Sequence, residues 1–294
     1  MVRRSQAGWA VIAVALCVPA PAGSVETTAR RIPMRIVAGR LLVVPVMVDG
    51  TGPYPFLLDT GATCSLVDEA LADHLRLPRV GAVPHETAVA SGSATLVQAA
   101  LTLGRIRREG ALIRARLDSL ADLEPAPRGV VGQDLLRLAN WWLDYRGGSL
   151  MEDADGAVGE ADLGERLRVY WHDGRPAIDA LRPDQSRLRL VLDSAASSPV
   201  LFRPPRGHAE VVRASAAVLT TVDGTTAVAL ASVGPLRAGR ASIPRVDAAI
   251  LSDTAGRRVE DGLLPTGLFQ GLYFDNRAGT VVLNPRRAVL SSFR

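Results

Sequence analysis

Two stretches of the sequence carry the same chemical grouping. Phe56-Leu57-Leu58-Asp59-Thr60-Gly61-Ala62 and Leu190-Val191-Leu192-Asp193-Ser194-Ala195-Ala196 each run an apolar segment into an aspartate, a hydroxyl residue, a small residue and an alanine. Two carboxylates held about 3 Å apart cannot both ionise, so they share one proton. Such a pair hydrolyses an amide without metal or covalent nucleophile. One carboxylate takes a proton from water while the other acts as acid toward the carbonyl. Asp59 and Asp193 are therefore the candidate catalytic residues, and their titration would belong to the pair. The hydroxyls of Thr60 and Ser194 stand where they can bond to the backbone of the opposite turn and lock the two turns together. A small residue at Gly61 and Ala195 lets the turns approach, and Gly61 does this best because it lacks a Cβ.

The elements that must position this pair repeat along the chain. Gly39-Arg40 precedes Asp59 by 20 positions (59 − 39), and Gly174-Arg175 precedes Asp193 by 19 (193 − 174). Gly129-Val130-Val131-Gly132 begins 70 positions after Asp59 (129 − 59), and Gly262-Leu263-Leu264-Pro265 begins 69 after Asp193 (262 − 193). Each is followed by Leu135-Leu136 or Leu268-Phe269, then by a closing hairpin around Asp144 or Asp275. Four landmarks in one order at nearly equal spacing indicate a duplication, which places the same turn from each copy at a pseudo-two-fold axis. Short Val/Leu/Ile/Thr runs broken by Gly, Pro, Asn and Asp predict an all-β fold, with short helices at Asp68–Leu75 and Gln133–Leu138. The expected organisation is a signal peptide over 1–22, a first lobe over 33–151, an acidic solvated linker over 152–165 and a second, degenerate lobe over 166–294.

The N-terminal segment carries Arg3-Arg4, an apolar run from Trp9 to Val18, and Ala20-Pro21-Ala22 as a cleavage site. It is too short for a comfortable membrane span. The expectation is an exported protein, periplasmic or secreted, with no stable span once the segment is removed. Cleavage lowers the formal charge from +4 to +2 (4 minus the two arginines), too little to argue for nucleic acid. It leaves one cysteine, Cys64, expected as a small buried hydrophobe. The sequence contains no lysine, which excludes a lysine phosphate loop and a Schiff-base lysine. Its four histidines lack ligand spacing, so no metal or other cofactor is expected.

On these motifs the sequence resembles the retroviral-type (retropepsin-like) aspartic proteases, whose signature is Asp-Thr/Ser-Gly-Ala with a later hydrophobic-hydrophobic-Gly segment. Leu58-Asp59-Thr60-Gly61-Ala62-Thr63 and Val130-Val131-Gly132 match it, and the pattern recurs degenerately from Gly174 onward. The resemblance implies two tandem closed β-barrel lobes of six-stranded type, a water-activating aspartate pair and a peptide or protein substrate. It also implies a glycine-tipped flap, for which Ser91-Gly92-Ser93 and Asp223-Gly224 are the candidates. Alanine at the fourth position of both motifs, Ala62 and Ala196, goes in the family with less acidic optima, so weakly acidic to neutral activity is expected. The second lobe departs from the pattern at Ala195 and at Pro265. Three readings follow: an endopeptidase with both aspartates in one monomeric chain, a homodimer pairing Asp59 with its own copy, and a non-catalytic peptide-binding protein. Arg105, Arg107, Arg108, Arg114 and Arg116 are expected to be a solvated strand face.

Overall fold

The structure, a computed structural model, describes residues 29–86, 91–154, 163–202, 217–221, 224–251 and 259–285. The expected signal peptide lies outside them. The described residues form three sheets with a few single-turn helices, an all-β architecture of curled sheets.

The first sheet explains why the segment before Asp59 is apolar without alternation. Along Leu41–Val48, residues Leu42, Val44, Val46 and Val48 enter the main core, whereas Val43 enters a second cluster with Leu57, Leu66, Ile113 and Val130. Phe56 and Leu58 likewise face the main core and Leu57 the second cluster. Buried on both faces, these strands read as continuous apolar runs. Thr51–Leu58 pairs parallel with Gly129–Val131, which pairs antiparallel with Leu66–Asp68. The eight-stranded sheet curls shut where Met47 and Val48 of Leu41–Val48 pair with Thr102 and Leu101 of Ser91–Leu103. Closure of this kind removes exposed strand edges.

The second lobe builds a ten-stranded sheet around the same local arrangement. Arg187–Asp193 pairs parallel with Gly262–Pro265, which pairs antiparallel with Val200–Leu201. Each aspartate thus ends or follows a strand held between neighbours on both sides.

A six-stranded sheet joins the lobes. Its order is Arg30–Pro33, Ser149–Asp153, Asn140–Asp144, Gly271–Asp275, Thr280–Leu283 and Arg166–Arg168. At its centre Trp142 is opposite Tyr273, with the rings edge to face at 6.4 Å. Trp141 is fully buried and its indole N–H donates to Leu136 O at 2.6 Å. The main apolar core runs through both lobes, from Leu42 and Phe56 to Ile178, Leu190 and Leu272. Truncating a buried side chain such as Trp141 costs about 3–5 kcal/mol.

The helices come out as Glu69–His74 and Gln133–Leu136, within the expected bounds. Asp144 and Asp275 shape the closing hairpins by accepting Gly147 N at 2.7 Å and Ala278 N at 3.0 Å. The five arginines from Arg105 to Arg116 are each matched by a carboxylate: Arg105 by Glu152, Arg107 by Glu109, Arg108 by Asp134, Arg114 by Glu69 and Asp73, and Arg116 by Asp118.

Two expectations need correction. The acidic linker begins later than 152, because Glu152 and Asp153 lie buried in the strand Ser149–Asp153. Their charges are tolerated there because each is paired. Glu152 accepts Arg105 N at 2.7 Å and Nε at 2.8 Å, and Asp153 accepts the Tyr273 hydroxyl at 2.7 Å. Leu163, near the far end of that linker, is also buried, while 155–162 lie outside the described residues. Cys64 is exposed, since its turn faces outward where the adjacent Thr63 hydroxyl bonds to Asp173 O.

Candidate active site

The strand Thr51–Leu58 delivers Asp59 at its end, and Asp59 N donates to Val131 O at 2.9 Å, which fixes the chain as it leaves the sheet. Arg187–Asp193 delivers Asp193 in the same way, in register with Pro265. The next residue of each turn reaches across the lobe boundary. Thr60 Oγ1 donates to Leu192 O at 2.7 Å and accepts from Ser194 N at 3.0 Å. Ser194 Oγ donates to Leu58 O at 2.6 Å and accepts from Thr60 N at 3.0 Å. All four bonds are buried and reciprocal, so neither turn can shift without stranding polar groups of the other.

This lock sets the two carboxyl groups beside one another, with the Gly61 backbone of the Asp59 turn against the Asp193 carboxyl and each carboxyl in the other's electrostatic field. Asp59 Oδ1 accepts Gly61 N at 2.8 Å, and Asp193 Oδ1 accepts Ala195 N at 2.8 Å and Ala196 N at 2.9 Å. Burial holds Asp59 well above the usual carboxylate range, and the neighbouring charge of Asp193 pushes it the same way. Burial raises Asp193 too, opposed by the N–H groups of Ala195 and Ala196, by Arg175 and by the hydrogen bond from Asp59. Two carboxyls side by side, both biased toward the neutral form, are what a shared proton requires.

The third residues differ between lobes. A Cβ on Gly61 would lie 2.7 Å from both Cγ and Oδ2 of Asp193, so only glycine fits there. Ala195 carries its methyl against the second apolar cluster of the first lobe instead. The departure from the family pattern is accommodated by packing and leaves the carboxyls side by side. Ala62 closes its turn with N to Asp59 O at 3.4 Å and accepts Gln133 N at 2.9 Å.

Behind the first turn lies support that spacing did not reveal. Buried Gln133 donates Nε2 to Thr60 O at 2.8 Å, and Asp134 Oδ1 accepts both N and Oγ of Ser65 at 2.8 and 2.6 Å. In the second lobe the corresponding positions are Thr266 and Gly267, and Thr266 Oγ1 meets the Tyr145 hydroxyl at 2.6 Å. Burial pushes the Tyr145 phenol far up, so it stays protonated beside Asp193. Arg175, seen in the sequence only as a repeat landmark, lowers both aspartates and pairs with buried Glu260 at 2.6 Å. Nothing local in Gly174-Arg175 signals this, because Glu260 is 85 residues away.

The flap candidates lie on paired strands. Ser91, Gly92 and Ser93 are the first rungs of a strand, opposite Glu86, His85 and Pro84, and 87–90 lie outside the described residues. Gly224 pairs with Thr221, and Asp223 lies outside the described residues. The structure thus joins Asp59, Thr60, Gly61, Asp193, Ser194 and Ala195 in one site and puts Gly92 on a hairpin flank.

Residues 44–135 match the aspartyl protease family, a span that takes in Asp59, Gly61 and Gly132. That stretch is similar to the retropepsin-like aspartyl proteases. Among curated proteins none matches the chain. The aspartyl protease match ends at Leu135, so the second carboxyl of the site comes from outside it.

Proposed function

We propose that this chain is an aspartic endopeptidase that hydrolyses peptide bonds with water activated by the Asp59–Asp193 pair of a single polypeptide. The observation that carries the reading is the set of reciprocal Thr60 and Ser194 bonds that hold the two aspartate turns against each other. Two backbone N–H groups converge on one oxygen of Asp193, whereas Asp59 Oδ1 meets one, so in this reading Asp193 is the anion and Asp59 carries the shared proton. The Asp193 carboxylate takes a proton from water as its oxygen attacks the carbonyl carbon. Asp59 donates to the carbonyl oxygen, giving a neutral gem-diol. Collapse then passes one gem-diol hydroxyl proton to Asp59 and the proton held by Asp193 to the departing amine, which restores the singly protonated pair. The two lobes act as a tandem pair around a pseudo-two-fold axis, and the N-terminal segment exports the chain to the periplasm or medium.

A homodimer pairing two copies of Asp59 would need the second turn where this chain's own Asp193 turn already stands, so the single-chain reading is preferred. Among the described residues no helix is long and apolar enough to cross a membrane. The reading is tested by digesting an unstructured polypeptide in ¹⁸O-labelled water, with single-turnover samples quenched for mass analysis. One label in each new C-terminal carboxylate, with no peptidyl adduct on the enzyme, is expected. An adduct on any side chain would refute direct water attack. Peptide binding without any cleavage would return the chain to the non-catalytic reading.

A further inference from the structure

The two ends of the site are built from matching positions but differ in chemistry. On one side Thr63 Oγ1 donates to Asp173 O at 3.1 Å, bridging the first lobe's catalytic loop to the Asp173-Gly174-Arg175 turn of the second. Arg175 there faces the buried carboxylate of Glu260 at 2.6 Å, so its charge is balanced. On the other side, the corresponding gap between Ala38-Gly39-Arg40 and the second lobe's loop stays open. It forms a cavity of about 360 Å³ lined by Arg40, Ser197, Ser198, Pro199, Val246 and Asp247, among others.

Arg40 is the counterpart of Arg175, but no carboxylate lies within ion-pair distance of it among the described residues. The position matching Glu260, two residues before the glycine strand, is Pro127. Arg40 is half-buried, its stem rests on Gly267, and its charge acts on the Tyr145 phenol that contacts Thr266 beside Asp193. The guanidinium therefore belongs to the cavity wall, within electrostatic reach of the tyrosine whose hydroxyl meets Thr266. Ser197 and Ser198 add two exposed hydroxyls four and five residues after Asp193, and Asp247, which lines the same cavity, is exposed and screened by solvent. An unbalanced, partly desolvated guanidinium with adjacent hydroxyls is a receptor for a carboxylate.

We propose that this cavity is a specificity site that selects an acidic side chain, Glu or Asp, on one side only of the peptide bond to be cleaved. The proposal rests on the endopeptidase reading for its peptide ligand, and it gives the cleft a direction. A peptide threaded one way would put its acidic residue against Arg40. Threaded the other way, it would meet an end that is bridged and already neutralised.

The test uses labelled decapeptides in which each position in turn carries Glu or its neutral isostere Gln. Equilibrium binding is measured by fluorescence polarisation on full-length Asp59→Asn protein, alone and combined with Arg40→Gln, Arg40→Lys or Asp247→Asn, after thermal unfolding shows each folded. The parent's cleavage of the same peptides is read separately. At one position Glu should bind roughly tenfold tighter than Gln, as a charge-assisted contact provides. Arg40→Lys should keep most of that preference, Arg40→Gln should erase it, and Asp247→Asn should enlarge it. A Glu/Gln ratio near one at every position, a preference that survives Arg40→Gln, or no binding of any peptide overturns the proposal. Cleavage without the preference overturns the pocket alone. The preference without cleavage supports the pocket and overturns the protease reading alone.

Discussion

Gly61 of the first lobe lies against the carboxyl of Asp193 from the second, so close that a Cβ would stand 2.7 Å from its Cγ. The contact is one-sided, because the matching residue of the second lobe is Ala195, whose methyl has apolar neighbours. Two substitutions at equivalent positions should therefore behave unequally. Gly61→Ala must push the Asp193 carboxyl aside, and we expect a loss of activity of at least about 100-fold, since small misplacements of reacting groups are amplified in rate. Ala195→Gly should keep activity within a few-fold and cost about 1 kcal/mol of stability. Steady-state kinetics and denaturant unfolding of both variants check this; equal losses would contradict it.

The reciprocal hydroxyl bonds predict a strong stability effect. Thr60→Val removes the donor to Leu192 O and the acceptor for Ser194 N, leaving two buried groups unpaired. We expect a loss of about 2–4 kcal/mol. Ser194→Ala should cost a similar amount, and the double variant less than the sum, because the two side chains share one network. A chemical-denaturation double-mutant cycle measures the coupling.

Much of this was legible in the sequence. Asp59 and Asp193 follow apolar runs because the strands before them are buried on both faces, and the hydroxyls after them are polar because each must satisfy the opposite backbone. The shared sheet could be anticipated from the closing hairpins at Asp144 and Asp275, but not the pairing of Trp142 with Tyr273 across it. The roles of Arg175 and Glu260 were not legible, because an ion pair between residues 85 apart leaves no local pattern. Cys64 was misread because small apolar residues are usually buried, and its outward turn depends on a bond to the other lobe. The burial of Glu152 and Asp153 escaped for the same reason: acidic composition reads as solvated until the partners are known.

Both aspartates are raised, which fixes the sign of their contribution to stability. A carboxyl whose folded pKa exceeds its unfolded value favours folding in its protonated form, and that advantage is lost as pH rises through the folded value. Above the usual carboxylate range the native pair is therefore a growing liability. Asp59→Asn should be more stable than the parent at neutral pH, with the gap in Tm shrinking toward pH 4. Calorimetry across that range checks it, and a gap that widens on acidification would contradict it.

Arg175 opposes the rise of both aspartates, so its removal should move the dyad upward. Arg175→Met alone deprives buried Glu260 of its guanidinium and should cost about 3–5 kcal/mol. Arg175→Met with Glu260→Gln should recover most of that stability. It should also shift the acidic limb of the kcat/KM profile to higher pH, because the first ionisation of the pair loses a nearby positive charge. An unshifted profile in the folded double variant would show that Arg175 acts only structurally.

The central claim is that one chain supplies both carboxylates. Its most direct test is cleavage of an internally quenched peptide library by the parent, Asp59→Asn and Asp193→Asn, with the molar mass of each active sample measured by light scattering. The account predicts a parent active as a monomer at weakly acidic to neutral pH, and a loss of at least about 1000-fold in each variant. Full activity in Asp193→Asn, or activity only in a dimeric parent, would contradict it.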